Sequence, residues 1–415
     1  MKTVVKYFCD EKRLSLMIGS FFLLNACASI DVAAIRRPGF VPDADESRLY
    51  KRADEFSEML EESGHLYPDQ ELEVYLNDLA RKLLSSVQLE GAVPISIRVI
   101  NDPSLNAFAL PNGRIFVHTG ILAVAENEAQ VAALLSHEMT HVLNRHLLKQ
   151  FRSVINKTAF WGALQMPLAV AGGVAGGAVG GNLASILGQV SMVSSIYGFS
   201  RELETEADTE GFAMMTAAGY AVSEAPKLFQ RLGEFIEDED VKQPFFFSTH
   251  PQVNARIENF KQLIQEKGGS DQTGIVNAGA YKALTGKLVL DNFYLALQMG
   301  MFKTAQKNID LFIDENPQNA AAYYARGELY RQRQDPLQKK EKKRDKTADY
   351  DLALAAYATA LKLDPGIALA IQGEAKIWEK QGDLSKAREA YRQYLTLNPQ
   401  ASDREYVEQF LANSP

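Results

Sequence analysis

Apolar positions recur at helical spacing through most of the chain. Ser47 to Ser63 and Asp69 to Val87 carry the first two such patterns, the second through Leu72, Val74, Tyr75, Leu79, Leu83 and Leu84. The period then drops to two between Ile95 and Ile100, and again over Ala107 to Pro111 and Arg114 to Thr119. Asn112-Gly113 separates the last two runs, which predicts a hairpin. Helical spacing returns from Glu126 to Lys149, with Val131, Leu134, Leu135, Val142 and Leu143 on one side. A further helix starts at Ser200, and others span Val222 to Ile236 and Gln252 to Lys267. Acidic Glu237 to Asp240 opens a loop that closes at Ser248-Thr249-His250-Pro251.

Beyond Ala278 the pattern is all-helical and periodic. Prolines close helix pairs at Pro317, Pro365 and Pro399, so the gaps are 48 and 34 residues. Tetratricopeptide repeats are 34 residues long, which makes the first gap one repeat plus a 14-residue insertion. Ala305, Ala353, Tyr357, Ala360, Ala387 and Tyr391 fall where such repeats pack their second helices. Tyr323, Gly327, Tyr330, Trp378 and Gly382 fit the first helices. The insertion, Asp335 to Lys346, is strongly cationic and reads as a solvated extension. Ser402 to Asn413 would cap the solenoid, whose concave face suits a segment of a partner protein.

The chemistry gathers on the Glu126 to Lys149 helix, which carries His137-Glu138-Met139-Thr140-His141. Histidines four apart on a helix lie one above the other, so both imidazoles can reach one zinc ion, and Glu138 can take a proton from water beside it. A third ligand is available on Ser200 to Asp208, where Glu204 and Asp208 share a face. One of the two can bind metal while the other hydrogen-bonds a ligand histidine. Glu202 and Glu206 are expected on the solvated side. A third histidine ligand of the metzincin kind is absent: His146 follows His137 by nine residues rather than ten, and Asn144 stands in place of the turn glycine.

These two stretches resemble peptidase family M48, together with Asn106-Ala107-Phe108-Ala109-Leu110-Pro111-Asn112-Gly113 upstream and Ser248-Thr249-His250-Pro251 downstream. The resemblance covers roughly residues 45 to 265, and with the repeats the chain is similar to the BepA type of that family. It implies an α+β gluzincin-type zinc metalloprotease domain followed by an all-α tetratricopeptide-repeat solenoid. It also implies zinc ligands at His137, His141 and Glu204, a catalytic base at Glu138, a proton donor at Asp208, and His250 as a regulatory fourth ligand. Asn112 departs from members that have a second glycine there. In the family the hairpin edges the zinc cleft, where an extended substrate can add as a strand.

Composition adds an address. The formal charge of −8 gives a nucleic-acid role no support. Both cysteines, Cys9 and Cys27, fall near the start, leaving none for a disulfide in the body. Lys2, Lys6, Lys12 and Arg13 precede an apolar run, Leu14 to Leu24, too short for a comfortable membrane span. Leu24-Asn25-Ala26-Cys27 resembles a bacterial lipobox, with lipidation at Cys27 and outer-membrane sorting suggested by Ala28; an ordinary signal peptide or a retained anchor are the alternatives. The expected domains are a lipoprotein-type signal peptide at 1–26, a tether at 27–43, the metalloprotease at 44–267, a linker at 268–277 and the repeats at 278–415. Ala159 to Tyr197 is almost uncharged and glycine-dense, and reads as a lid, an interfacial hairpin or, less favourably, two membrane spans.

The expected activity is therefore periplasm-facing, zinc-dependent endoproteolysis of misfolded or misassembled outer-membrane proteins. The repeats would recruit protein clients or the barrel-assembly machinery, with the membrane reached through the lipid anchor and residues 159–197. The competing expectation is an outer-membrane protein assembly chaperone whose peptidase is mostly dormant.

Overall fold

The computed structural model describes residues 32–153, 199–237, 250, 253–266, 274–333 and 346–413. Helices α1 (Ala44–Glu62) and α2 (Gln70–Ser86) form where the apolar spacing predicts them. Asp69 caps α2 by accepting from the Leu72 N–H at 3.0 Å, satisfying a donor that the helix itself leaves open. Strands β1 (Ser96–Ile100), β2 (Ala107–Ala109) and β3 (Arg114–His118) make a sheet of order β1-β3-β2. Antiparallel β2 and β3 are the predicted hairpin, in register at Phe108 and Phe116, while β1 joins β3 in parallel. The two phenyl rings stack at 5.3 Å. Among the described residues β2 forms one edge of this sheet and β1 the other.

A short helix, α3 (Thr119–Val124), leads to α4 (Glu128–Leu143), and every residue of α4 is buried. The sequence pattern predicts one apolar side, but α4 runs through the middle of the domain with β2, α2 and two later helices packed around it. Its polar side is buried because it carries the chemistry. The expected continuation to Lys149 does not occur. Asn144 ends the helix, Arg145 takes a left-handed φ of 56°, and a separate helix, α5 (His146–Ser153), begins. Then come α6 (Arg201–Ala217), α7 (Glu224–Glu237) and α8 (Val253–Glu266).

The tether expected at 27–43 is corrected over its described part. Val32 and Ile35 are buried, and the Ile35 N–H donates to the Leu143 carbonyl at 2.7 Å. Two apolar side chains and a backbone hydrogen bond hold this stretch against the end of α4 rather than leaving it free. Cys27, the Ala159 to Tyr197 stretch and the cationic insertion up to Asp345 lie outside the described residues. Among the described residues no helix is long and apolar enough to cross a membrane.

Seven helices follow among the described residues: α9 (Ala278–Gln298), α10 (Phe302–Glu315), α11 (Ala320–Arg333), α12 (Lys346–Leu363), α13 (Ala368–Gln381), α14 (Leu384–Leu397) and α15 (Arg404–Asn413). Ala305, Ala353, Tyr357, Ala360, Ala387 and Tyr391 are all fully buried. Gly327 matters through its missing side chain, because a Cβ there would overlap the Tyr357 ring. Helix α9 belongs to two cores at once. Its Tyr281 and Leu288 pack in the large core of the N-terminal domain, whereas Phe293, Ala296 and Leu297 pack with α10 and α11.

Candidate metal centre

Helix α4 presents His137, Glu138 and His141 from its polar side. Asn127 starts the helix by accepting from the Gln130 N–H at 3.0 Å. Helix α6 supplies Glu204 and is capped by Ser200. It lies very close to α4 because Gly211 has no side chain; a Cβ there would come within 3.2 Å of the His137 backbone nitrogen. The Nε2 atoms of His137 and His141 are 3.0 Å apart, and Glu204 Oε1 lies 3.5 Å from His141 Nε2. His250 completes the group: its Nδ1 is 2.9 Å from Glu204 Oε1 and 3.2 Å from His137 Nε2. The ligand atoms of these four buried residues lie within 4.8 Å of one another.

Several observations fit this group to a metal ion. Three imidazoles and a carboxylate are the donors zinc takes in a tetrahedral site. Glu204 Oε2 and Glu138 Oε1 are buried without a hydrogen-bond donor, an arrangement that is costly unless a cation faces them. Burial above all holds His137 and His141 well below the ordinary imidazole range, so both are neutral, the form that binds metal. For His250 burial acts in the same sense, but the charges of Glu204 and Glu138 outweigh it and raise the ring's affinity for a proton. Burial also pushes Glu138 upward, against the pull of His250 and of a hydrogen bond from the Ala109 backbone. That bond places Glu138 directly beneath the edge strand.

Asp208 sits behind His137, with Oδ1 2.9 Å from the ring's Nδ1. That contact orients the imidazole from the nitrogen opposite the cluster. Sequence reasoning missed Arg256 on α8. It is buried, donates to Asp208 at 2.7 Å and lies 3.7 Å from Glu204. Its guanidinium also covers the Phe229 ring at 4.0 Å. A signal existed: Arg256 shares the buried stripe of Phe260, Leu263 and Ile264, and a charge in such a stripe needs a buried counter-charge. Glu206, expected to be solvated, instead lies 3.4 Å from His146 Nε2 and accepts from Asn144 and Lys149. The break after α4 turns those groups toward it.

The fold and this cluster define an α+β metallopeptidase-type domain, with its HExxH helix at the centre and helical repeats after it. Residues 69–264 match the model of peptidase family M48, and 290–337 and 345–402 match tetratricopeptide repeats; the chain carries an M48 domain followed by those repeats. It is 30% identical over 212 residues to the mitochondrial metalloendopeptidase OMA1 of Saccharomyces cerevisiae, covering 48% of this chain and 58% of that one. It is 32% identical over 176 residues to the protein of that name from Schizosaccharomyces pombe, covering 41% and 47%. The β-barrel assembly-enhancing protease of Escherichia coli is 26% identical over 208 residues, covering 49% of this chain and 41% of that one. The matched regions thus span roughly half the length of these relatives.

Proposed function

We propose that the protein is a zinc-dependent endopeptidase of the bacterial envelope, facing the periplasm and degrading misfolded or misassembled outer-membrane proteins. The observation that carries this reading is the buried group of His137, His141 and Glu204, with Glu138 between it and the edge strand β2. Bound zinc would supply a Lewis acid and lower the pKa of water. His137, His141 and Glu204 would hold it, and Asp208 with Arg256 would fix the His137 ring. Glu138 takes the proton of the attacking water and passes it to the leaving amine. Strand β2 pairs with an extended stretch of substrate through main-chain hydrogen bonds, which favours unfolded clients over folded ones. The repeats recruit client proteins or the barrel-assembly machinery, and acylation of Cys27 anchors the chain to the outer membrane.

A second reading is favoured by one observation: His250 lies among the ligand atoms. Four protein ligands leave zinc no open position, so a site closed in this way would be dormant. The chain would then act chiefly as an assembly chaperone.

One experiment separates the readings. His137→Ala is expected to lose zinc, whereas Glu138→Gln keeps zinc by elemental analysis but no longer cleaves an unfolded outer-membrane protein. Cleavage by Glu138→Gln at the wild-type rate would sink the proposed mechanism. If Glu138→Gln fully supports outer-membrane assembly while deletion of the repeats does not, the chaperone reading prevails.

A further inference from the structure

We infer that His146, keyed by Glu206, is the positioning residue for His141, and that the backbone break at Arg145 serves to bring it there. The inference rests on His141 being a metal ligand. On an unbroken helix of 3.6 residues per turn, residues five apart point about 140° away from each other. His146 would then face away from His141. Instead α4 stops at Leu143, Arg145 takes φ 56°, and α5 starts at His146. The turn leaves His146 Nδ1 2.8 Å from His141 Nδ1, with the rings edge-on at 4.8 Å and His146 fully buried.

Two facing imidazole nitrogens hydrogen-bond only when one donates and the other accepts. His141 Nε2 belongs to the ligand group, 3.0 Å from His137 Nε2, and a nitrogen that binds metal carries no proton. The proton of His141 is therefore on Nδ1, and His146 Nδ1 accepts it. That choice puts the proton of His146 on Nε2, which faces Glu206 Oε2 at 3.4 Å. Glu206 is held in turn by Asn144 Nδ2 at 2.7 Å and Lys149 Nζ at 3.2 Å. Every member of the chain thus has one consistent role.

The arrangement mirrors the one at the other histidine, where Asp208 meets His137 Nδ1 at 2.9 Å. Both carboxylates come from α6, two residues apart, and Glu204 on the same helix faces the metal group. Asp208 reaches its histidine directly, whereas Glu206 reaches His141 through His146. The left-handed residue that makes this possible is not glycine. It is held from the N-terminal side: Arg145 pairs with both carboxylate oxygens of Glu46, donates to the Ala33 carbonyl at 3.1 Å and lies over the Phe40 ring at 4.7 Å.

The test measures zinc affinity of the full chain by competition with a chelator. His146→Leu keeps the bulk but removes the acceptor, and is expected to weaken zinc binding by about 10–100-fold. His146→Asn places an amide oxygen where Nδ1 stood and is expected to retain most of the affinity. Nitrogen-detected NMR of the zinc-loaded protein should place protons on His141 Nδ1 and His146 Nε2. Wild-type affinity in His146→Leu, equal losses in Leu and Asn, or the opposite tautomers would overturn the proposal. If His146→Leu does not fold, Glu206→Ala, at a partly exposed side chain, replaces it; unchanged affinity there also overturns the proposal. A wild-type chain that binds no zinc, judged against His137→Ala, instead overturns the metal reading on which this one rests.

Discussion

Arg256 and Asp208 form a buried ion pair at 2.7 Å, and neither charge has access to water. Removing one member of such a pair strands the other, which typically costs about 3–5 kcal/mol. Arg256→Leu is thus expected to lower stability by roughly that amount, read as a drop in the urea midpoint. Asp208→Asn with Arg256 intact should cost less, because the amide still accepts a hydrogen bond. Equal and small losses in both variants would show that the pair is not what holds α8 to the centre. Arg256 also marks a limit of sequence reading. Its identity is plain in the chain, but its partner is 48 positions away, and no local period links them.

The helices are legible where the apolar spacing is strong and local, as from Asp69 into α2 and from Ser200 into α6. The pattern misleads where tertiary contacts override it. Leu143 to Lys149 has helical spacing, yet the clamp on Arg145 imposes a left-handed turn that no local propensity signals. The hairpin and the HExxH helix were legible because a turn dipeptide and a ligand spacing are local; the pairing of β1 with β3 was not, being set by the crossover between them. The stretch between α7 and α8 carries His250, whose buried ring lies against four other members of the centre: His137, Glu138, His141 and Glu204. His250→Ala is expected to retain zinc and raise cleavage of the chain itself or of loosely folded substrates. Unchanged or lower cleavage with zinc retained would show that this segment is no brake.

The two halves of the molecule share α9. Tyr281 donates to the Leu122 carbonyl at 2.7 Å, Tyr67 to Asp291 at 2.8 Å, and Thr119 Oγ1 lies 2.9 Å from Asn292 Oδ1. A boundary drawn before Ala278 therefore cuts through the core of the N-terminal domain. A chain ending at residue 277 is expected to lose cooperative thermal unfolding, since deleting large core side chains such as Tyr281 and Leu288 costs about 2–5 kcal/mol each. A chain ending at residue 300 should fold and keep its zinc affinity. Similar melting of both truncated chains would show that α9 is dispensable to this core.

The packing of Val32 and Ile35 bears on where the enzyme can work. If Cys27 carries the acyl group, only five chain steps separate the lipid from the packed body, and fully extended they reach about 17 Å. The protein would ride on the bilayer like a boat at a short mooring, with its cleft confined to the layer of periplasm nearest the lipid. Polypeptides stalled at the membrane surface would meet it, and those in the bulk compartment seldom would.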